Sequence, residues 1–409
     1  MTQPTKRVEY IDVARALGVM RVVVVHVLVL FITRPIPLHE DVFQVVRFFY
    51  VFTMPLFFFM SGMMYRPHGW SHVVIGSLTL IILAEITHIC GMLAGGLVHG
   101  DWPGIYSTLR TMVGLSSFSI GVTWFLVALA FVRLLAYVVI AGSTRMRWIV
   151  LALALFSLLI SQISGFRMLQ LQAWWSGLLF YMAGYALAPL IRDRLFSLDL
   201  RNGPSITKKI AVLGLAMIAA AIVTHFVALW NLGCPIDPRD TCGSEQLYGR
   251  FIVRMISGNY GFVPLFLLSS ASGMLFFMLV SILVTALPER IVGWLCWVGR
   301  NSLSLLLLNG FFLYLGNRVI QKSFAAGYPE WMPWVLPFVV LAGHLLVLPL
   351  VTPAVNYAER LSKRIATALV GHVTALQQGL RSASHRRLAP DLNAPPKPVG
   401  RAGKPGPRK

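Results

Sequence analysis

The chain is a succession of long apolar blocks separated by short polar connections. The blocks fall near 13–32, 45–64, 73–93, 123–140, 147–163, 174–191, 209–230, 260–286, 293–315 and 332–351. Each approaches the roughly 20 residues that a helix needs to cross the hydrocarbon of a bilayer. No water is available there, so a crossing segment has to satisfy its own backbone N–H and C=O groups, and a helix does this within itself. The pattern predicts an all-α, polytopic membrane helix bundle of about ten transmembrane helices. The first block contains Arg21 and His26 and is followed by no small-residue cleavage site, so it reads as an uncleaved span and not as a signal peptide. After the last block, Leu361, Ile365, Leu369, Val373, Leu376 and Leu380 recur at helical spacing beside Arg360, Lys363 and Arg364. That predicts an amphipathic helix on the inner leaflet. From about Leu388 the chain is Pro-rich and basic, a composition expected to be disordered. Two regions are expected: a transmembrane domain over 1–353, and a basic cytoplasmic helix and tail over 354–409.

Composition narrows the class. Of 409 residues, 57% are hydrophobic and only 12% charged, against about a quarter charged in soluble domains. A water-soluble multidomain enzyme is excluded. The formal net charge of +20 raises the question of nucleic acid, but the basic residues sit in the connections and the tail instead of forming a groove. Counted by side, 23 of the 35 Lys and Arg fall on the side of the N-terminus when the tail is included, and nine on the opposite side. Arg15, Arg21 and Arg133 lie within spans. Positive charge stays cytoplasmic, so both termini are expected inside, in a cytoplasmic (inner) membrane. The tail is expected to meet anionic lipid, with no nucleic-acid partner.

The cysteines make no metal-binding pattern, and no metal is expected. Cys90 and Cys296 stand in apolar blocks and read as packing residues. Cys234 and Cys242 flank a polar loop assigned to the outer side, where a disulfide between them would survive.

Ionisable residues inside hydrocarbon are costly, at about 2.5–3.5 kcal/mol each on insertion scales, and call for a reason. In the first span, Arg15 and His26 are eleven residues apart, which returns them to within roughly 20° of one face, about 16 Å apart along the axis. Asp12 lies one turn from Arg15. Such a stripe has to line a polar cavity. Taken singly, Arg15 either snorkels to headgroups or holds an anion at the cytoplasmic mouth. His26 either bonds a neighbouring carbonyl or accepts a proton. In the third span, Glu85 and His88 share a face and are expected to meet, as a structural pair, a proton path or an orienting pair for a base. Arg21 is a candidate partner for Glu85. In the second span, Pro55 frees a carbonyl and Ser61-Gly62 permits close helix approach. Gly299-Arg300-Asn301-Ser302 opens the ninth span, and Asn309 within it is either interhelical glue or a cavity donor.

Taken together these motifs resemble the integral-membrane acyltransferases of type 3, on the branch of fucose 4-O-acetylase-like sugar O-acetyltransferases. The resemblance rests on Tyr10-Ile11-Asp12-Val13-Ala14-Arg15-Ala16-Leu17-Gly18 followed by His26, on Met54-Pro55-Leu56-Phe57-Phe58-Phe59-Met60-Ser61-Gly62, on Thr123-Trp124-Phe125-Leu126, and on Gly299-Arg300-Asn301-Ser302-Leu303. These lie in family order over about the first 310 residues, and the ten-span, termini-inside plan is the family's as well. The chain departs from its relatives at three positions: Thr53 stands where they commonly carry His, Asn309 near another such His, and Val25 where Gly usually precedes the first-span His.

The resemblance implies an acetyl-CoA-dependent O-acyltransferase acting on a hydroxyl of a surface or secreted glycan. His26 would be general base or transient acyl carrier, Glu85 or His88 its orienting partner, and Arg15, beside Asp12, a phosphate contact for the CoA. Ser61, Arg300, Asn301, Ser302 and Asn309 are candidates for substrate contact, oxyanion stabilisation or structure. The alternative is a transporter or flippase for a glycan or an organic anion, since buried His and Glu serve that task equally.

Overall fold

A computed structural model describes residues 9–32, 39–66, 69–100, 102, 104–114, 120–160, 171–191, 200, 206–231, 251–324 and 327–388. Among them are twelve α-helices: α1 (Glu9–Leu30), α2 (Glu40–Met63), α3 (Trp70–His99), α4 (Ile105–Gly114), α5 (Trp124–Ala141), α6 (Thr144–Ile160), α7 (Leu171–Leu190), α8 (Ile206–Trp230), α9 (Val263–Val284), α10 (Glu289–Arg300), α11 (Ser302–Phe324) and α12 (Met332–Leu388). The protein is an all-α membrane bundle. Seven helices are long and apolar enough to cross a bilayer, or eight when α10 and α11, which meet at 66°, count as one broken span. The other apolar helices are α6, of 17 residues, and α7, whose 20 residues include Gln172, Trp174 and Trp175. Helix α4, of ten residues, is too short to cross.

Large apolar side chains such as Leu97, Leu215, Leu346 and Leu350 stand exposed on the outer face. A soluble protein would hide such a surface, whereas a bundle solvated by acyl chains presents it. Cys90 is on that exposed face. Along α12, Leu361, Ile365, Leu369 and Val373 are exposed, and so are Arg360, Lys363 and Arg364. The chain divides into two compact units, 1–366 and 367–409. The tail beyond 388 and the Cys234–Cys242 loop lie outside the described residues.

Helix α2 is the central post. Phe52, Leu56 and Phe58 are buried completely. Pro55 donates no N–H, so the Val51 carbonyl loses its usual partner four residues on. The Ser270 hydroxyl of α9 donates to that carbonyl at 2.7 Å, which turns a helix defect into an interhelical bond. Further along α2, a methyl group on Gly62 would overlap the Tyr181 carbonyl of α7, and one on Gly184 of α7 would overlap the Phe59 carbonyl of α2. The two backbones therefore touch through reciprocal glycines, the close approach that Ser61-Gly62 foretold.

The bend at 299–302 has a similar origin. The Asn301 side chain donates to the Trp297 carbonyl at 2.9 Å, and its backbone N–H is shared between Trp297 and Val298. This closes α10 and lets α11 leave in a new direction. Gly299 is needed here because α10 crosses α1 so closely that a side chain would strike the Asp12 carbonyl.

Candidate active site

His26 sits four residues from the C-terminal end of α1, about 6 Å along the axis. Its Nδ1 is 2.8 Å from the side-chain amide nitrogen of Asn309 on α11, and Asn309 is completely buried. The amide as placed donates from Nδ2 to Nδ1 and leaves its own Oδ1 without a partner. Turned end for end, it would have Oδ1 accept an Nδ1–H and leave the lone pair on Nε2; an amide's orientation is assigned from such networks. In either sense Asn309 fixes the ring plane and the tautomer of His26.

Two cavities meet at this imidazole, sharing His26, Met54 and Trp124. The first, of about 430 Å³, is walled by Phe57 of α2, by Gly121 and Val122 of a short 3₁₀ turn, by Phe125 of α5, and by Leu306, Gly310, Leu313, Tyr314 and Asn317 of α11. Gly310 lets α11 approach that turn, where a side chain would meet Ile120 and Val122. Trp124, Tyr314 and Asn317 bring N–H and O–H donors to an otherwise apolar wall. The second, of about 370 Å³, lies among Val22, Val25, Val29 and Ile32 of α1, Val46, Tyr50 and Thr53 of α2, and residues 252–256.

A third cavity, of about 280 Å³, lies at the other end of α2 and is lined by Ser61, Met64, Tyr65, Arg66, His72, Val73, Arg133 and Tyr181. Among the described residues it carries two guanidinium groups and no carboxylate. Arg66 and Arg133 make no hydrogen bond or ion pair among the described residues, and the Tyr65 hydroxyl is buried without a partner. The first turn of α3, which has no side-chain cap, borders it, so its backbone N–H groups add positive potential. Helix α2 links the two regions: Phe57 borders the first cavity and Ser61, one turn on, the third. Along α5, Trp124 and Arg133 span about 14 Å.

The residues marked in the sequence are distributed unevenly around this site. His26 and Asn309 come together. Arg15 and Asp12 lie at the opposite end of α1 and line neither His26 cavity. The face between Arg15 and His26 is packed, with the Phe57 ring 3.3 Å from where a Gly18 side chain would begin. Space at His26 therefore opens toward α2, α5 and α11, and neither cavity follows the stripe as far as Arg15.

Glu85 and His88 line neither of these cavities, and both Glu85 oxygens are buried without a hydrogen bond. The expected Glu85–His88 bond and the Arg21–Glu85 pair do not form. Instead, the Arg21 guanidinium lies 4.4 Å from the ring centre of Phe277, 4.5 Å from that of Phe52 and 5.6 Å from that of Phe49. Helical spacing places groups on one face of their own helix, but packing decides which neighbour that face meets. His26 is oriented by Asn309, not by Glu85 or His88.

The oxyanion candidates also sit elsewhere. The Ser61 hydroxyl donates to the Phe57 carbonyl at 2.8 Å and borders the cationic cavity. Arg300 donates from Nε to Cys296 O at 3.1 Å. Asn301 and Ser302 form the bend. Arg66 and His72 were not singled out from the sequence, and Arg133, noted there only as a charge within a span, was the available signal.

An apolar helical bundle with an amide-oriented histidine at the junction of two internal cavities defines a multi-pass membrane protein built for chemistry below its surface. The chain belongs to the acyltransferase 3 family, whose acyltransferase domain matches residues 8–352, a stretch that contains every residue of the three cavities. It is a membrane acyltransferase. Comparison with curated proteins and with solved structures brings no match.

Proposed function

We propose that the protein is an acetyl-CoA-dependent O-acyltransferase of the cytoplasmic membrane that acetylates a hydroxyl of a surface or secreted glycan. The observation that carries this reading is the Asn309-oriented imidazole of His26 between two cavities, since a transfer between two substrates needs one base and two approaches. With both termini cytoplasmic, as the charge distribution argues, the Arg66–Arg133 cavity opens at the cytosolic end and offers the CoA phosphates paired guanidinium donors. Arg15, at the same end, is a further phosphate contact. The pantetheine arm would follow α2 from Ser61 past Phe57, bringing the thioester into the cavity beside His26.

The acceptor hydroxyl then gives its proton to His26 as its oxygen attacks the thioester carbonyl. Trp124, Tyr314 and Asn317 are the wall donors available to the developing oxyanion. Collapse forms the ester C–O bond and breaks the C–S bond. The CoA thiolate takes the proton back from the imidazolium and leaves as the free thiol.

The test uses the purified full-length protein in lipid nanodiscs with radiolabelled acetyl-CoA and glycan acceptors. Label should appear in an alkali-labile ester on the glycan, and His26→Ala should abolish it while the variant still inserts and binds acetyl-CoA. Undiminished transfer by His26→Ala would remove this histidine from the chemistry.

A further inference from the structure

The cavity of about 370 Å³ on the far side of His26 is mostly apolar, and among the described residues no carboxylate lines it. Among the described residues one fixed cation lines it: Arg254. This residue lies in the connection before α9, on a tightly closed loop. Its N–H donates to Asn259 O at 2.8 Å, and the Asn259 N–H donates back at 3.1 Å across a 3₁₀ turn at Met255–Ser257. Gly258 closes the turn at φ 70°, in the left-handed region that glycine tolerates.

The loop is anchored on two helices. Asn231, at the end of α8, donates to Tyr260 O at 2.9 Å and accepts the Phe262 N–H at 2.7 Å. The Tyr260 hydroxyl is 2.8 Å from Ser176 Oγ on α7. The Arg254 backbone is therefore held in place, and its side chain makes no hydrogen bond or ion pair among the described residues. Tyr50, whose hydroxyl is near enough to feel the Arg254 charge, lines the same cavity. A guanidinium exposed on the wall of a mostly apolar cavity, with no carboxylate among the described residues to answer it, attracts an oxyanion.

We propose that this cavity is the acceptor subsite, and that Arg254 makes it selective for an acceptor bearing an oxyanion, a carboxylate or a phosphate on an acidic glycan. The inference rests on the acyl-transfer reading above and specifies its second substrate. Arg254 holds the anionic group of the acceptor, with Tyr50 as a second donor, while a neighbouring hydroxyl of the same molecule meets His26.

The test compares three probes on the full-length protein in nanodiscs: a hexuronate-containing oligosaccharide, its carboxyl-reduced neutral counterpart, and the matching sugar phosphate. Binding is titrated without acetyl-CoA, and ester formation is followed with it. The wild type should bind at least one anionic probe about 10-fold or more tightly than the neutral one, and the arm that wins identifies the anion. In Arg254→Ala this preference should fall toward unity, mainly through KM, and Arg254→Lys should restore part of it. Such a ratio within one variant is insensitive to a general loss of folded protein. Equal binding of charged and neutral probes by the wild type would overturn the proposal, as would a preference that survives in Arg254→Ala. Should Arg254-dependent anion binding persist while no acceptor yields ester, the acyl-transfer reading falls and the anion subsite stands.

Discussion

The His26–Asn309 bond is the most exposed point of the mechanism. Replacing Asn309 by Ala removes a 2.8 Å bond to a completely buried amide and leaves the imidazole free to rotate and to exchange tautomers. Loss of a buried partner of this kind costs about 1–3 kcal/mol in stability. The kinetic effect is separate. A positioned general base contributes about 10²–10⁴-fold, so an unoriented one should lose a large part of that, with kcat falling about 10- to 1000-fold. The KM for acetyl-CoA should change little, because Asn309 does not line the cationic cavity.

Asn309→Asp separates orientation from packing. The Asp carboxylate can still accept an Nδ1–H and should retain most of the activity lost in Asn309→Ala. The assay is the initial rate of ester formation against both substrates, normalised to folded protein by size-exclusion chromatography. Wild-type kcat in Asn309→Ala would refute the reasoning. So would Asp and Ala variants that are equally inactive while folded, since this would mean that the amide does something other than hold Nδ1.

Three further outcomes follow from the packing and charge. Arg66→Ala with Arg133→Ala should raise the KM for acetyl-CoA about 10-fold or more, with kcat near wild type and a weaker dependence on salt; an unchanged KM would move the phosphate site elsewhere. Gly62→Ala should lower thermal stability by about 1–3 kcal/mol through its overlap with the Tyr181 carbonyl, measured as a shift in the detergent melting curve, and an unshifted curve would contradict the close α2–α7 contact. Arg21→Met should leave stability unchanged or raise it by about 1–4 kcal/mol, because the buried guanidinium has three aromatic rings and, among the described residues, no carboxylate. A sharp loss of stability would show a stronger hold on that charge than the rings provide.

Much of this was legible along the chain because the physics involved is local. Helix in a bilayer follows from apolar blocks and from the demand that each segment satisfy its own backbone. Gly62 and Pro55 announced a close approach and an orphaned carbonyl within their own helix, and both appear with definite partners in Tyr181 and Ser270. His26 stood out because an imidazole deep in an apolar run has to be accommodated.

Partners across helices were not readable, and the misreadings share that cause. Glu85 and His88 are neighbours by helical spacing, yet no hydrogen bond to Glu85 forms. Arg21 found aromatic rings instead of a carboxylate. Asn309, 283 residues from His26 along the chain, was one polar residue among several until packing put α11 against α1. What periodicity, composition and charge settled by themselves was a membrane-spanning helical protein with a polar stripe on its first helix. Which residues face one another across the cavities, and that the space at His26 opens along α2 and α5, were decided only by tertiary packing. The reason is that a helix's own geometry specifies its faces to within a fraction of a turn, while the neighbour each face meets depends on the fit of every other helix in the bundle.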